Sequence, residues 1–465
     1  MTNSPATETA HIPDGLEALI PAYLGRQRWY AGSDAPRPED VRVRAARALA
    51  LPGGAEDAGL VEVVLHQLIV EADGAVYQLL IGERPGGIPA EFLHSQEDAV
   101  LGLVGTRSFY DAVVHPELSR QLLEIISGGA ERASRVRRVT AEQSNTSLVF
   151  DDRVILKLFR RLSAGANPDI EVTSALAEVG FAHVAAPVAT WRWDGWDLAF
   201  AQRYLVGGSE GWALALTSLR DLYNSALENP AEAGGDFAGE ATRLGHMTAE
   251  MHLAMVSAFG VDPSGLAAER WPALLDNIEN RLRPAIEMLG GDEDLAGPAT
   301  SLLARFRAVS DPGPALRVHG DYHLGQVMQT DDGWYVLDFE GEPARSLDER
   351  VASTSALKDT AGMVRSFSYA ARFALRERDE AEIPRLSKLG TAWEAHNRQA
   401  FVDGYRRYAG IGEVLPSPDQ VTTVLEAYEL DKALYELAYE QAYRPDWISI
   451  PLSAIRGLLS DRQKG

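Results

Sequence analysis

The stretch from Leu316 to Pro343 decides the fold and reads LRVHGDYHLGQVMQTDDGWYVLDFEGEP. Asp321 follows a His-Gly pair in a loop, and Gln326 comes five residues later. An Asp-Asp-Gly turn and an apolar run then lead to Asp338, which opens the tripeptide Asp-Phe-Glu. A carboxylate, an amide oxygen and a second carboxylate after a hairpin therefore occupy one short segment.

This pattern is typical of a kinase catalytic loop followed by a DFG-type metal site. In that pattern Asp321 accepts the proton of the attacking hydroxyl. Gln326 and Asp338 supply hard oxygen ligands, which Mg²⁺ prefers. The alternative is that these residues only shape turns. A lone His-Gly-Asp is weak evidence, but HGDxHxxQ, a hairpin and then Asp-Phe-Glu form a far more specific set, so we favour the catalytic interpretation.

The composition of the chain is that of a globular protein with 465 residues and 46% hydrophobic residues. Cysteine is absent, which excludes disulfides, a thiolate nucleophile and a thiolate metal site. No stretch approaches the ~20 apolar residues that span a bilayer, and the N-terminus lacks a signal-peptide pattern. We therefore expect a cytoplasmic protein. The sequence does not determine the oligomeric state, and a monomer is favoured.

The net charge of −23 comes from 44 basic and 67 acidic residues. Nucleic acids and anionic membranes are bound through their phosphates, so such an acidic chain argues against both as partners. Solubility accounts for most of this charge. Part of it would also suit a site for a polyhydroxyl or cationic substrate.

The first third of the chain shows strand patterns that are typical of the nucleotide-binding N-lobe of a kinase. Two apolar runs joined at Asp73-Gly74 predict a hairpin, whereas residues 91–130 look helical. Kinase-type N-lobes place a phosphate-covering loop before a strand that carries a lysine. Gln143 and Ser144 would belong to that loop, and Lys157 would be that lysine. The alternative for Lys157 is a solubility charge on an edge strand.

A helix predicted over 167–179 carries Glu171 in its first turn, where the helix dipole favours a carboxylate. Glu171 would also pair with Lys157 and orient it toward the phosphates of ATP. Further along, the backbone from Arg203 to Leu205 lies where a kinase hinge would meet adenine.

After Gly208 the hydrophobic period is helical almost to the C-terminus. We therefore predict an α+β, bilobal protein-kinase-like fold with a cap over 1–90, an N-lobe over 91–207 and a helical C-lobe over 208–465. The cleft between the lobes would contain Lys157, Asp321 and Asp338. His246 and His252 are six residues apart on one predicted helix and do not share a face, so we interpret them as packing or surface residues.

Several segments carry a resemblance to a known family, including HGDYHLGQVM, VLDFEGEPARSLDER, VILKLFRRLSAGANPDIEV and LDKALYELAYEQAYRPDWISIPL. The chain resembles the aminoglycoside phosphotransferase and protein-kinase-like superfamily. Within it, the chain is similar to the actinobacterial maltokinases over nearly its whole length, including their N-terminal cap. The resemblance implies a sugar kinase that uses ATP and Mg²⁺. It implies the same roles for Asp321, Gln326 and Asp338, and a nucleotide role for Lys157 and Glu171. Glu340, Arg345 and Asp359 lie in segments that resemble the active-site surroundings.

The last long helix departs from the maltokinase pattern, because Ala442 stands where that family has an arginine. Glu429, Glu436 and Glu440 share one face of this helix, which is either a solvated acidic face or a pocket wall. A site that loses an arginine and keeps its carboxylates favours an ammonium group. In this respect the chain resembles the glucosamine kinase branch. The candidate substrate residues are Asp321, His323, Asp431, Glu436, Glu440, Gln441, Tyr443 and Trp447.

The favoured activity is therefore phosphorylation of glucosamine to glucosamine 6-phosphate with ATP and Mg²⁺. A maltokinase that forms maltose 1-phosphate is the main alternative. An aminoglycoside phosphotransferase and a catalytically inactive kinase-like binding module are less favoured, since the similarity is to maltokinases and the catalytic set is complete.

Overall fold

A computed structural model describes residues 12–32, 34–52, 62–87, 96–139, 145–266, 269–290, 293–342, 345–376 and 378–460, with the side chains of 293 and 294 left undescribed. The chain forms two compact units. The first contains Met1–Glu171 and Ala185–Val206, and the second contains Val172–Val184 and Gly207–Gly465. The predicted nucleotide residues Gln143 and Ser144 lie outside the described residues. In the described part of the chain, no helix is both long and apolar enough to cross a bilayer.

The first sheet of the first unit has six strands among the described residues, paired in the order β1-β2-β3-β5-β4 with β9 also on β3. Its hairpin between β2 and β3 turns at Asp73 and Gly74, whose φ angles of 48° and 74° suit an Asp-Gly turn. This hairpin was predicted. The strands are β1 (Val41–Leu49), β2 (Val64–Ala72), β3 (Ala75–Pro85), β4 (Val100–Val104), β5 (Arg107–Asp111) and β9 (Arg161–Leu162).

The helical interpretation of 91–130 is wrong for the segment that forms β4 and β5. These strands form a hairpin through Gly105, and Phe109 and Tyr110 of β5 are buried against the sheet. Helices in this unit are α1 (Ile20–Leu24) and α2 (Pro116–Ile126). The sheet thus continues beyond residue 90, and the three-part division at 90 and 207 stays a prediction.

The second sheet of the first unit runs in the order β10-β11-β8-β7-β6. Lys157 lies on β8, which pairs with β11 on one side and β7 on the other. A strand with two neighbours is not an edge strand, so the edge-charge alternative for Lys157 is wrong. The strands are β6 (Val136–Val139), β7 (Asn145–Phe150), β8 (Val154–Phe159), β10 (Pro187–Trp193) and β11 (Trp196–Arg203).

Helix α3 (Pro168–Glu178) begins where the sequence predicts. The Asn167 side-chain oxygen accepts hydrogen bonds from the backbone N–H groups of Asp169 and Ile170, at 2.9 and 3.3 Å. This cap satisfies two of the N–H groups that a helix start leaves unpaired.

The second unit is mostly helical, as predicted, and contains one large core of buried apolar residues. Its short strands are β12 (Ser209–Glu210), β13 (Val261–Asp262), β14 (Ala315–Leu316), β15 (Val327–Thr330) and β16 (Gly333–Val336). The helices are α4 (Gly211–Asn224), α5 (Ala238–Phe259), α6 (Arg270–Met288), α7 (Glu293–Arg307), α8 (Leu347–Val351), α9 (Leu357–Phe373), α10 (Ile383–Arg407), α11 (Val421–Tyr443) and α12 (Ser449–Ser460).

Within the predicted helical C-lobe, residues 347 to 375 contain two helices, α8 and α9. Between α8 and α9 the backbone of Thr354 exchanges two hydrogen bonds with Leu316, at 2.8 and 2.9 Å. This bridge ties the start of α9 to the strand that leads into the catalytic segment. The α+β class of the fold is confirmed.

Candidate active site

The loop before Asp321 is held by a buried carboxylate in the first turn of α9. Asp359 accepts hydrogen bonds from the backbone N–H groups of His319 and Gly320, at 2.8 and 2.9 Å. His252 of α5 lies 3.1 Å from the same carboxylate and also contacts the hydroxyl of Tyr405 at 2.8 Å. Burial opposes the charge on Asp359, but His252 and the backbone N–H groups hold its pKa below the ordinary value. The loop backbone is therefore fixed by an ionised group.

His319 connects this loop to the hairpin that carries the second carboxylate. Its Nε2 lies 2.9 Å from the carbonyl oxygen of Leu337, and its Nδ1 lies 3.3 Å from the backbone nitrogen of Asp321. One neutral imidazole tautomer satisfies both contacts, because Nε2 donates while Nδ1 accepts. Asp321 and Asp338 are thus positioned by the same side chain.

Asp321 forms an ion pair with a lysine that is not among the predicted site residues. Lys432 of α11 lies between two carboxylates, with its Nζ 3.1 Å from Asp321 Oδ1 and 2.6 Å from Glu342 Oε1. Arg345 contacts the other oxygen of Glu342 at 2.5 Å. His323 Nε2 is 3.9 Å from Asp321 Oδ2. Burial would raise the pKa of Asp321, but Lys432 and then His323 hold it well below the ordinary value.

Lys432 is distinguished in the sequence by the composition of its helix. It is the single lysine or arginine in α11, all of whose residues the structure describes. The side chain of Lys432 is only 18% exposed. A buried ammonium group in an acidic and apolar helix requires a carboxylate partner.

The structure brings the two predicted metal ligands together. Gln326 ends a 3₁₀ turn before β15, and its Nε2 lies 3.5 Å from Asp338 Oδ2. Asp338 has a φ of 62°, a left-handed conformation that costs a non-glycine residue energy and that clusters at functional sites. An amide flip turns the oxygen of Gln326 toward the same space. The donor set fits a small hard cation such as Mg²⁺.

Two of the predicted substrate carboxylates in α11 are already paired with arginines. Asp431 contacts Arg281 of α6. Glu436 accepts hydrogen bonds from Nε and Nη2 of Arg365 in α9, at 3.1 and 2.7 Å. Both carboxylates are therefore neutralised by side chains of the same unit.

Glu440 differs from these two carboxylates. Its Oε1 accepts a hydrogen bond from Tyr369 at 3.2 Å, while its buried Oε2 has no hydrogen-bond partner among the described residues. Arg444 Nε lies 4.0 Å from that oxygen. Burial raises the pKa of Glu440 above the ordinary value, although Arg444 and the hydrogen bond from Tyr369 oppose this rise. A further cation close to Oε2 would stabilise the ionised form of Glu440.

The remaining predicted substrate residues lie at the C-terminal end of α11. Trp447 stacks on Tyr369 with 6.3 Å between ring centroids, beside the Glu440 contact. Gln441 and Tyr443 are exposed, and Gln441 Nε2 lies 3.0 Å from the sulfur of Met288. Trp447 and Glu440 thus share a partner, whereas Tyr443 is 71% exposed.

The described nucleotide candidates lie in the first unit. Lys157 Nζ is 3.3 Å from Asp169 Oδ2, with the lysine side chain 15% exposed. Glu171 is exposed in the first turn of α3, and its pairing with Lys157 stays a prediction. Arg203 contacts Glu131 at 2.8 Å and ends β11, and Leu205 follows it in the predicted hinge segment.

Two family profiles match the chain. The family described as "Phosphotransferase enzyme family" matches residues 124–341, and "Maltokinase N-terminal cap domain" matches residues 23–114. The first match contains Lys157, Asp321 and Asp338. These two matches agree with the resemblance to maltokinase-like phosphotransferases that the sequence motifs carry. The resemblance seen in the sequence is thereby confirmed.

Two relatives of this maltokinase-like chain are named glucosamine kinase. The protein from Mycolicibacterium smegmatis is 25% identical over 350 residues, which are 72% of this chain and 83% of the relative. The protein from Streptacidiphilus jiangxiensis is 26% identical over 360 residues, which are 74% and 77% of the two chains.

A solved structure described as glucosamine kinase in complex with glucosamine, ADP and inorganic phosphate has the same fold. The two structures superimpose with a TM-score of 0.67 at 22% sequence identity. The superposition covers 97% of this chain and 100% of the glucosamine kinase chain. The kinase-like fold of this maltokinase-like chain is confirmed by that similarity.

Proposed function

We propose that the protein is an ATP- and Mg²⁺-dependent sugar kinase that converts glucosamine to glucosamine 6-phosphate. The observation that carries the proposal is the placement of Asp321, whose loop is anchored by Asp359 and connected through His319 to the hairpin of Asp338. The two relatives named glucosamine kinase support the choice of substrate.

In the proposed reaction, the acceptor hydroxyl oxygen attacks the γ-phosphorus of ATP, and the bond from that phosphorus to the ADP oxygen breaks. The hydroxyl proton passes to the carboxylate of Asp321. Fixing this carboxylate contributes mainly through placement, because phosphoryl transfer depends on orientation and charge neutralisation. Gln326 and Asp338 would hold Mg²⁺, which neutralises phosphate charge when it is bound. The nucleotide would contact Lys157, Glu171, Gln143, Ser144, Arg203 and Leu205.

The ammonium group of glucosamine requires an acceptor that is not already neutralised. Among the predicted substrate residues, Asp431 and Glu436 are hydrogen-bonded to arginines at short range. The buried Oε2 of Glu440 has no hydrogen bond from the described residues and only a longer ion-pair contact, 4.0 Å from Arg444 Nε. We therefore assign the ammonium to Glu440, with Trp447 beside the sugar. His323, Gln441 and Tyr443 remain candidate contacts.

Maltose is the second candidate acceptor. The match of residues 23–114 to a maltokinase N-terminal cap favours it, because that module is named for maltokinases. Ala442 in place of the maltokinase arginine argues against it.

An assay of ATP consumption with glucosamine, glucose, maltose and a panel of aminoglycosides tests the proposal. We expect glucosamine to give the highest kcat/KM, and ³¹P NMR of the product to show a phosphate ester on the primary hydroxyl. Turnover of maltose without turnover of glucosamine would establish the maltokinase instead.

A further inference from the structure

Lys432 is hydrogen-bonded to the proposed catalytic carboxylate but is not among the site residues predicted from the sequence. Its Nζ bridges Asp321 Oδ1 and Glu342 Oε1, and it also lies 5.0 Å from the ring centre of Tyr435. Glu342 is buried, with its side chain 2% exposed, and is contacted on its other oxygen by Arg345. The order of contacts is therefore Arg345, Glu342, Lys432 and Asp321.

This arrangement fixes the lysine more firmly than a surface ion pair would. Removing one partner of a buried ion pair leaves an uncompensated charge, so each member constrains the next. The bond from Lys432 occupies Oδ1 of Asp321, which leaves Oδ2 for the acceptor hydroxyl. A lysine anchored in this way selects one orientation of the carboxylate.

We propose that Lys432, anchored by Glu342, is a positioning residue that holds the carboxylate of Asp321 oriented toward the acceptor hydroxyl. The inference rests on the proposed kinase function and adds to it a residue of the last long helix. It also implies that the substrate ammonium binds away from Asp321, because Lys432 already supplies a cation there.

The charged and titratable groups around Asp321 come from four parts of the second unit. They are His319 and His323 of the loop, Glu342 and Arg345 after β16, Lys358 of α9, and Lys432 and Tyr435 of α11. Without Lys432, burial would raise the pKa of Asp321, and the nearby Glu342 would add to that rise. The pKa of Asp321 would then be higher than in the wild type, so its protonation would begin at a higher pH.

The test compares kcat/KM of Lys432→Met and wild type with glucosamine and ATP from about pH 5 to about pH 9, taking their ratio at each pH. The ratio cancels titration of ATP and of the sugar. We expect a loss of about 10²-fold in the flat region, which is typical of a misplaced catalytic group. We also expect a further decline in the ratio toward low pH. Lys432→Arg, which keeps the charge, should give a ratio that does not change with pH.

Lys358→Met is the matched control, because this half-buried lysine acts on Glu342 and has no bond to Asp321 in the described contacts. Its ratio to wild type should not change with pH. A pH-independent ratio for Lys432→Met, or a rate equal to wild type, would overturn the inference.

A second variant serves if Lys432→Met does not fold. Glu342→Gln retains the lysine but removes its anchor, so it should lower kcat/KM without a decline toward low pH. A wild-type rate for this variant overturns the inference. A wild-type enzyme that phosphorylates none of the sugars would instead overturn the proposed function.

Discussion

Asp321 is the residue on which the chemistry depends, and its surroundings suit orientation better than strong basicity. Lys432 and His323 hold the pKa of Asp321 low despite burial, so the carboxylate is ionised throughout the physiological range. Such a group orients a hydroxyl and receives its proton late in the reaction.

Asp321→Asn should therefore reduce kcat by at least the ~10²–10⁴-fold that general-base assistance provides. ATP binding, measured by isothermal titration calorimetry, should stay within a few-fold of wild type, because Asp321 is not among the proposed nucleotide contacts. Near-wild-type turnover would show that another group accepts the proton.

Glu440 is the residue that should separate glucosamine from glucose. A site that pairs a polar substrate group discriminates against an analogue that lacks it, because the site then keeps an unsatisfied buried group. Glu440→Gln should lower the ratio of kcat/KM for glucosamine over glucose by about tenfold or more. Most of the change should come from the glucosamine value.

Glu426→Gln is the control on the same helix, since Glu426 pairs with Arg305 of α7. It should leave the glucosamine to glucose ratio unchanged. An unchanged ratio in Glu440→Gln would assign the ammonium to another group.

At the scale of elements, α9 is the support of the catalytic loop. Its glycine Gly362 permits close contact, because a Cβ at this position would lie 2.5 Å from the carbonyl oxygen of Tyr322. Gly362→Ala should displace the loop and reduce kcat by about 10²-fold.

Gly457→Ala in α12 is the control, since a Cβ there meets nothing within 4 Å. Removing a helical glycine at that site should stabilise the protein by up to about 1 kcal/mol without changing kcat.

The same helix contributes a pH-dependent part of the stability through Asp359. Its pKa is lower in the folded state than in the unfolded chain, so its contribution is complete above the unfolded value and is lost as the pH falls through the folded value. Asp359→Asn should therefore destabilise the protein by about 1.5–3 kcal/mol at neutral pH, as expected for weakening hydrogen bonds to a buried charged group.

The difference between wild type and Asp359→Asn should shrink only below about pH 4, the range in which unfolded aspartates protonate. Urea unfolding at a series of pH values measures this difference in the free energy of unfolding. The control is Asp348→Asn, because Asp348 is exposed. A difference that grows as the pH falls would contradict the assigned pKa direction.

At the scale of the whole molecule, the sequence predicted the features that depend on short separations. The catalytic loop, the hairpin to Asp338, the β2–β3 turn and the start of α3 all follow from residues within a few positions of each other. The strands β4 and β5 were missed because their aliphatic run with Gly102 lacks clear alternation, and pairing with β3 decides their conformation.

The contacts that complete the site could not be predicted, because they join distant residues. Lys432 and Asp321 are 111 positions apart, and Arg365 and Glu436 are 71 apart. Periodicity placed Glu436 on an acidic face, but it could not show that an arginine of α9 already neutralises it. The sequence thus indicated which carboxylates could bind the substrate. Tertiary packing determined which of them are already hydrogen-bonded to arginines.

The measurement that tests the central claim most directly is the ratio of kcat/KM for glucosamine over glucose in the wild-type enzyme with ATP and Mg²⁺. A site with a buried carboxylate oxygen that lacks a hydrogen bond and can accept one from the ammonium predicts a ratio well above the ~10-fold that shape differences alone provide. A ratio near one, or turnover of maltose with none of glucosamine, would contradict the account.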